Sequence, residues 1–492
     1  MLLLGIDVGT SSIKVSVVDS ESGNCLASAQ YPESETPIIS HQLGWAEQSP
    51  DTWWEHVQQA ILKANATGKY DPKNIGAIGI AYQMHGLVMV NESKKSIRNS
   101  IIWCDSRAVE LGDDAFHSIG EKKCLSRLLN SPGNFTASKL AWVKQNEPDV
   151  YDRAFKIMLP GDFIAMKLTG EISTSVSALS EGIFWDFKKE NLSKAVLKHY
   201  ELDKELIPEI QDVFSSHGNL TAEGAEKLSL KPNIPVTYKS GDQPNNALSL
   251  NVLEPGEVAA TAGTSGVIYG VTDELFHDHL SRVNTFAHVN HTADNRRLGV
   301  LLCINGTGIM NSWVKNNLAG GMSYKDIDGK AKSISAGSNG LVVLPFGNGA
   351  ERMFENKIIG AHFHNLDLNL HTSAHVFRAV QEGIAFAFRY GLDIMRENGM
   401  DPQVIRAGKA NLFLSDVFIE AFVNATNTPL ELYECDGSVG AAIGAGIGAG
   451  QYSTQKEAFT KAKRLKLIEP TDHEKYDALY ENWKEALEKH LN

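Results

Sequence analysis

The chain has 492 residues, and its 46 basic and 59 acidic side chains give a formal net charge of -13 at pH 7. Its hydrophobic content of 42% is ordinary for a globular protein, and the length allows two or more sizeable cores. The acidic balance, without long runs of one sign, argues against partners such as nucleic acid or an anionic membrane surface, and no apolar stretch reaches membrane-spanning length. The five cysteines have no metal-ligand spacing and fit a reduced, cytoplasmic protein (Cys25, Cys104, Cys124, Cys303 and Cys435).

The first predicted element is a hairpin over residues 3–19, in which two apolar, β-branched runs flank the turn from Gly9 to Ser12. A tip with free N–H groups and hydroxyls can hold phosphate. Asp7, at the end of the first strand, is placed to meet a metal ion bound to the same phosphates. An ordinary hairpin with a surface acid explains the segment equally well. Lys14 points either at phosphate or into solvent, depending on the strand alternation.

Strands and helices then alternate, which predicts an α/β domain whose ligands meet the loops at strand ends. The apolar patterns predict strands over 24–31, 75–81 and 234–238, helices over 51–66 and 136–145, and a further helix that begins at 159–162.

Two segments of this first half carry polar groups suited to a small hydrophilic ligand. His85 lies in the loop 82–87 and can hydrogen-bond a hydroxyl, although a lone histidine is more often a packed side chain. Trp103, Asp105 and Arg107 combine an aromatic platform, an acceptor and a forked donor, which is a mixture that binds sugars. A buried tryptophan beside a surface ion pair explains the same three residues.

Asp242 is the candidate general base. It follows the predicted strand 234–238 and Gly241, next to the inferred junction between two halves, where a cleft would lie. A carboxylate there can orient and deprotonate a hydroxyl that attacks a γ-phosphate. An Asx-turn or a helix cap is the alternative, because most Gly-Asp pairs are one of these.

Residues 257–273 repeat the first hairpin, which indicates an internal duplication. The matching positions, without a gap, are Gly9, Thr10, Ser11, Val17 and Asp19 against Gly263, Thr264, Ser265, Val271 and Asp273. Asp7 corresponds to Thr261, so only the first copy keeps the acid. The repeat predicts two related domains, residues 1–246 and 247–492, with a loop-rich junction between 246 and 256. Each domain would contribute one tip to a shared cleft that grips a polyphosphate.

The second half shows the same alternation of strands and helices. The patterns predict strands over 298–303, 340–345 and 404–408, and helices from the turn 305–308 through 313, over 374–396, over the glycine-alanine run 439–450 and over 474–491.

Eight segments, taken in order, resemble the FGGY carbohydrate kinases of the actin and hexokinase superfamily over nearly the whole chain. The segments are Gly5–Lys14, Gly44–Gln48, Gln83–Gly86, Trp103-x-Asp105-x-Arg107, Ser138–Trp142, Gly241-Asp242, Ala262–Ser265 and Arg378–Gly383. Within this family, the segment Gln83–Gly86 resembles the members that act on xylulose.

The resemblance implies two ribonuclease-H-like domains with ATP and a sugar in the cleft between them, and closure on sugar binding. It implies ATP-dependent, Mg²⁺-assisted phosphorylation of a ketopentose such as D-xylulose to its 5-phosphate. Another sugar or polyol, such as ribulose, fuculose or gluconate, is an alternative substrate. A non-catalytic regulator that binds sugar and nucleotide is an alternative from a different class. A homodimer is also left open.

Carried over residue by residue, the resemblance assigns Asp242 as the base and Asp7 as the magnesium-linked acid. Thr10, Ser11 and Thr264, with Lys14 as an open case, would face phosphates, and Gly308, Gly408 and Asn411 would lie along the nucleotide. The residues expected to face the sugar are Met84, His85, Trp103, Asp105, Arg107 and Gln243.

The chain departs from the family pattern at two places. Arg406-Ala407-Gly408-Lys409 stands where a Gly-Gly-Gly-Ala turn is usual near the adenosine, which bears on nucleotide affinity and base preference. An acid common in the segment aligned with Thr174-Ser175 is missing, which bears on the identity of the sugar.

Overall fold

The computed structural model describes residues 1–434, 436–461 and 464–491. The strands of the first half are β1 (Leu2–Val8), β2 (Ile13–Asp19), β3 (Cys25–Tyr31), β4 (Glu47–Gln48), β5 (Ile75–Tyr82), β6 (Val88–Val90), β7 (Ser100–Ile101), β8 (Lys156–Met158), β9 (Ser173–Thr174), β10 (Trp185–Asp186), β11 (Asn191–Leu192), β12 (Glu209–Ile210) and β13 (Val236–Gly241). Its helices are α1 (Pro50–Asn65), α2 (Val109–Ile119), α3 (Glu121–Leu128), α4 (Thr136–Asn146), α5 (Pro148–Asp152), α6 (Pro160–Thr169), α7 (Val176–Glu181), α8 (Lys194–His199), α9 (Ala222–Leu228) and α10 (Asp242–Ser249).

The second half continues with the same two kinds of element. Its strands are β14 (Val258–Ala262), β15 (Gly266–Thr272), β16 (Asn284–Ala287), β17 (Leu298–Ile304), β18 (Val342–Phe346), β19 (Gly360–His364), β20 (Ile405–Gly408), β21 (Leu430–Tyr433) and β22 (Arg464–Ile468). Its helices are α11 (Gly308–Leu318), α12 (Tyr324–Lys332), α13 (Ser373–Glu397), α14 (Asp416–Thr426), α15 (Gly437–Gly448) and α16 (His473–Leu491).

The two large sheets share one strand order. The first runs β13-β5-β1-β2-β3, and the second contains β21-β20-β14-β15-β17 within its seven strands. In the first sheet β1, β5 and β13 are parallel while β2 and β3 are antiparallel to their neighbours. In the second, β14, β20 and β21 are parallel while β15 and β17 are antiparallel. This repeated order confirms the predicted architecture of two related α/β units.

Both predicted hairpins are confirmed, as β1–β2 and β14–β15. The predicted helix 51–66 is α1, and Ser49 caps it by accepting a hydrogen bond from the backbone N–H of Thr52. The long predicted helix 374–396 is α13. Periodicity located these elements to within two residues because each buries one continuous apolar face.

Two helices connect the halves by crossing between them. Helix α15 follows β21 of the second half, yet it packs on β1 and β5 of the first sheet. This contact requires glycine on the sheet, since a Cβ on Gly5 would lie 1.8 Å from the carbonyl oxygen of Ser438, and one on Gly79 would lie 2.0 Å from that of Ala441. Helix α10 packs in turn against α15, β14 and β15. The expected boundary between residues 246 and 247 falls inside α10, whose turns continue to Ser249.

A second contact between the halves involves the strand β16. The side-chain amide of Asn130 pairs with the backbone of Thr285, accepting from its N–H at 3.0 Å and donating to its carbonyl oxygen at 2.7 Å. Beside this pair, Phe286 and Leu298 join an apolar cluster made mostly of first-half side chains. Within the described ranges, no helix is both long and apolar enough to cross a membrane.

Candidate active site

Three neighbouring parallel strands, β1, β5 and β13, end at one edge of the first sheet. The register places Asp7 of β1 and Gly241 of β13 one residue apart along the central strand β5. The chain leaves β5 into the loop 83–85 and leaves β13 at Asp242. Because adjacent strands are about 4.8 Å apart, the backbones of Asp7 and Asp242 lie roughly 10 Å apart, with the loop 83–85 between them.

Asp242 is half-buried and is the first residue of α10, while Gly241 occupies the cap position. Gly241 leaves no room for a side chain, because a Cβ there would lie 2.7 Å from Cγ of Met84 and 2.8 Å from Oε2 of Glu181. Burial, and then the nearby carboxylate of Asp7, raises the pKa of Asp242 to about 7. A carboxylate with a pKa near neutrality is well suited to accept a proton from a hydroxyl.

Asp7 faces Lys14 across the first hairpin. Its Oδ2 lies against the first residue of α15, since a Cβ on Gly437 would come within 2.3 Å of it. Lys14 Nζ lies 3.7 Å from Oδ2 of Asp436, which precedes that helix. Burial, and then the charge of Asp436, raises the pKa of Asp7 to about 6, and Lys14 opposes the rise. A cation beside the carboxylates of Asp7 and Asp436 would offset both the burial of Asp7 and the repulsion between the two charges.

His85 presents a hydrogen-bond acceptor. Its Nδ1 donates to the backbone carbonyl oxygen of Glu181 at 3.2 Å. Burial, and then the charge of Lys139, lowers the pKa of His85 to about 3, so the ring is neutral. Because Nδ1 carries the single proton, Nε2 is left as an acceptor. Buried Lys139 fixes this loop by donating to the carbonyl oxygens of His85 at 2.9 Å and Ile102 at 3.0 Å.

Thr10 of the first hairpin tip is hydrogen-bonded both to Trp103 and to the loop after β5. The ring of Trp103 is 52% exposed, and its Nε1 donates to Oγ1 of Thr10 at 3.0 Å. Oγ1 of Thr10 donates in turn to Oε1 of Gln83 at 3.1 Å, and Gln48 Nε2 donates to the carbonyl oxygen of Thr10 at 2.8 Å. These bonds connect one phosphate-binding candidate with two segments expected at the sugar.

The remaining first-half candidates lie around the same edge of the sheet. Ser11 is exposed at the hairpin tip. Met84 is buried against Gly241, and Gln243 is partly exposed as the second residue of α10.

Asp105 and Arg107 do not face the cleft, which corrects the expectation that they contact a sugar. Asp105 has no exposed surface, and the side chain of Arg107 is 1% exposed. Arg107 pairs with Asp105 at 2.7 Å and with Glu47 at 2.8 Å, and its guanidinium lies 3.9 Å from the ring of Trp45 and 4.9 Å from that of Trp142. The alternative interpretation, a buried tryptophan beside a surface ion pair, is also wrong. The ion pair between Arg107 and Asp105 is buried, whereas Trp103 is exposed. Sequence proximity had grouped residues that point in opposite directions.

A cavity of about 410 Å³ opens in the second half between the second hairpin tip, α11 and α12. Thr264, Gly308 and Asn411 line it, as three of the predicted nucleotide-binding residues. Gly308 begins α11 and donates its N–H to the carbonyl oxygen of Gly263 at 3.0 Å, which ties the tip to this helix. Gly408 ends β20 and lies just outside the lining of the cavity.

The departure at Arg406 leaves this cavity open. Arg406 makes ion pairs with Glu257 at 3.1 Å and with Glu431 at 3.2 Å, one from each neighbouring strand region. Its side chain is therefore held away from the cavity lining, and the larger residue does not block a nucleotide there.

Sequence reasoning missed Glu181, the last residue of α7. Glu181 lies seven residues after Thr174, the position at which the acid expected from the family pattern is missing. Its carboxylate lies beside Gly241. Burial, and then the charge of Asp242, raises its pKa well above the usual range, and its Oε1 lacks a hydrogen-bond partner among the described residues. A buried carboxyl group with a raised pKa thus lies beneath the candidate base, and no local spacing pattern signals it.

Sequence reasoning also missed Glu351, which braces the second site. Its fully buried carboxylate accepts the backbone N–H groups of Asn305 at 2.9 Å and Gly306 at 2.8 Å. Burial raises its pKa to about 7. The glycine turn that begins α11 was predicted, whereas its support comes from 45 residues further along the chain.

Comparison with known proteins agrees with this arrangement. Residues 2–249 match the N-terminal domain, and residues 258–449 the C-terminal domain, of the FGGY family of carbohydrate kinases. The xylulose kinase of Lactococcus lactis is 28% identical over 507 residues, covering 98% of this chain and 96% of that protein. Among solved structures, a xyloylose kinase from Brucella ovis has a TM-score of 0.88 at 25% identity, covering 99% of both chains. The Plasmodium falciparum glycerol kinase with ADP has a TM-score of 0.90 at 21% identity, covering 100% of this chain and 98% of that one, and shows the shared fold alone.

Arg107→Ala is expected to lower the free energy of unfolding by about 3–5 kcal/mol, because it leaves the buried carboxylate of Asp105 without its partner. Urea denaturation followed by tryptophan fluorescence measures this change. Arg153→Ala is the matched control, since Arg153 is exposed and its loss should change stability by less than about 0.5 kcal/mol. An Arg107→Ala protein of unchanged stability that has lost only sugar affinity would contradict the supporting role.

Proposed function

The chain belongs to the FGGY family of carbohydrate kinases, and we propose from this premise that it transfers the γ-phosphate of ATP to D-xylulose, giving D-xylulose 5-phosphate. Near full-length relatives named xylulose kinase support this substrate. The observation that carries the proposal is the position of Asp242, half-buried at the start of α10 and flanked by the loop 83–85 on one side and Asp7 beyond it.

In the proposed reaction, Asp242 accepts the proton of the attacking hydroxyl. The hydroxyl oxygen forms the new bond to the γ-phosphorus, the bond from that phosphorus to the β,γ-bridging oxygen breaks, and ADP leaves. With a pKa raised to about 7, the carboxylate is a stronger base than an exposed aspartate and is still about half ionised at neutral pH.

The sugar is held by the first half. His85 accepts a hydrogen bond from a sugar hydroxyl at Nε2, because its Nδ1 proton is committed to Glu181. The exposed face of Trp103 supplies an apolar platform for the C–H side of the sugar, and Gln243 supplies an amide beside the base. Met84 packs beneath this site, and Asp105 with Arg107 supports the loop that carries the tryptophan.

The nucleotide lies between the two hairpin tips. Thr264, Gly308 and Asn411 line its cavity in the second half, and Gly408 leads into that lining. In the first half, the hydroxyl proton of Thr10 is used by Gln83, so this tip offers phosphate its backbone N–H groups and the exposed hydroxyl of Ser11. Lys14 adds a half-exposed cation at the same edge.

The residues around Asp7 fit a Mg²⁺ ion that enters with the nucleotide. Asp7 is a desolvated carboxylate near a second one, Asp436, and both gain from a cation. Among the described residues no three-ligand cluster of histidine, cysteine or acid is present, which suits a metal carried mainly by phosphate oxygens and water. When bound, Mg²⁺ neutralises charge on the β- and γ-phosphates.

A sugar panel tests the substrate. Activity with ATP is measured in a coupled ADP-release assay. D-xylulose is expected to give the highest kcat/KM among xylulose, ribulose, fuculose and gluconate, because the near full-length relatives are named xylulose kinases. A higher value for one of the other compounds would reassign the substrate within the reaction class. Labelled γ-phosphate that never appears on any sugar would refute the kinase itself.

Asp242→Asn tests the base. The amide cannot accept the proton, so kcat is expected to fall by at least about 100-fold, while sugar binding measured by calorimetry persists. Asp294→Asn is the matched control, since it makes the same chemical change on an exposed loop and should leave turnover unaltered. Near-normal turnover of the Asp242 variant would remove this residue from the proton-transfer step.

The pH profile gives an independent view of the same group. Because the protonated form cannot act as a base, kcat/KM for the sugar at saturating ATP is expected to rise as the pH increases through about 7 and to level off above it. The residual activity of Asp242→Asn should lack this rise. A wild-type profile that is flat through the same range would exclude a base with this pKa.

A further inference from the structure

Two chemically different groups of residues line the nucleotide cavity. The first is the hairpin tip at Gly263 and Thr264, with the start of α11 at Gly308 tied to it. The second comes from α12 and from the segment 411–415, which follows β20. Helix α12 itself packs against α13 and α14.

The cavity also has the composition of a pocket for a planar, mostly apolar group. Ile309, Leu412 and Leu414 line it with aliphatic surface, and Tyr324, which is 44% exposed, adds an aromatic ring. Asp328, one helical turn after Tyr324 on the same face of α12, is the carboxylate in the lining. A carboxylate repels phosphate, and it can accept a hydrogen bond from a neutral donor.

A buried chain of hydrogen bonds fixes the orientation of this carboxylate. Ser415 Oγ donates to Oε1 of Gln381 at 2.7 Å, and Gln381 Nε2 donates to Oδ1 of Asp328 at 2.8 Å. Gln381 has no exposed surface, so its amide serves Asp328 and cannot itself reach a ligand. The arrangement fixes the position of the Asp328 carboxylate, which is part of the cavity lining. Burial also raises the pKa of Asp328, which a further donor would offset.

We propose that Asp328 determines the nucleotide specificity of this kinase by accepting a hydrogen bond from the 6-amino group of a purine. An ionised carboxylate only accepts, so it favours the amino group of adenine and disfavours the carbonyl oxygen that hypoxanthine carries at the same position. The aromatic ring beside it favours the planar base over the ribose. This inference rests on the proposed kinase function and names a specificity determinant for its nucleotide.

ATP and ITP test the proposal, because they differ at the position that Asp328 would contact. The wild-type protein is expected to use ATP with a kcat/KM about tenfold or more above that for ITP, which is the range of one charge-assisted hydrogen bond. In Asp328→Asn the amide oxygen can keep the bond from Gln381 while the NH2 group replaces the second carboxylate oxygen, so the preference for ATP should fall below about threefold or invert. The KM for the sugar should not change.

Asp416→Asn is the matched control. Asp416 lies next to Ser415 on α14, but its side chain is 67% exposed and pairs with Lys332. This variant removes the same charge from the same region without touching the cavity, so it should keep the ATP preference. Binding of ADP and IDP, measured by calorimetry without sugar, should show the same pattern and also reports that each variant is folded.

The outcomes separate this inference from the proposed function. If no nucleotide supports phosphate transfer, the kinase function fails, and the ratio of ADP to IDP affinity still decides the role of Asp328. A wild-type protein without preference for the amino base, or an Asp328→Asn protein that retains it, would overturn the inference. An equal loss of ADP and IDP affinity in that variant would place the carboxylate on the ribose and would also overturn it.

Discussion

The position of every candidate catalytic group in the first half depends on one constraint, that parallel neighbouring strands end at the same edge of a sheet. Asp7, the loop 83–85 and Asp242 are far apart in the chain, yet they lie at the ends of three adjacent parallel strands and are therefore side by side. The same constraint acts on β14, β20 and β21 in the second half, where it brings the second tip towards Gly408. The order of the strands therefore decides which side chains meet at the edge of a sheet. Because the order is duplicated, the molecule has two such edges.

Environment then gives different roles to side chains of the same type. Asp242 and Asp105 are both acids of the first half, but Asp105 is neutralised by Arg107 within the protein. Asp242 has no such cation among its main influences, and burial leaves it with a raised pKa. A buried carboxylate with a cationic partner supports a loop, whereas one without a partner is available to accept a proton.

The sequence allowed prediction of the architecture because hairpin patterns, alternation and the repeat are local signals that tertiary packing did not override. The tips, Asp7 and Asp242 could be named for the same reason, since each lies at or just after the end of a recognisable strand. Asp105 and Arg107 were misplaced because side-chain direction in an irregular loop has no period. Glu181, Glu351 and Asp328 were missed because their partners lie tens of residues away, so their importance arises only when the chain folds.

Helix α15 also bears on how the molecule can be divided. It is encoded after residue 436, yet it covers the face of the first sheet at Gly5 and Gly79. A fragment that ends after α10 would expose this close-fitting, glycine-lined surface to water, and a fragment that begins there would carry an apolar helix without its support. Although the strand order is duplicated, each half covers apolar surface of the other. Neither half is therefore expected to fold stably and remain soluble when expressed alone, and folding of the two halves is expected to be coupled.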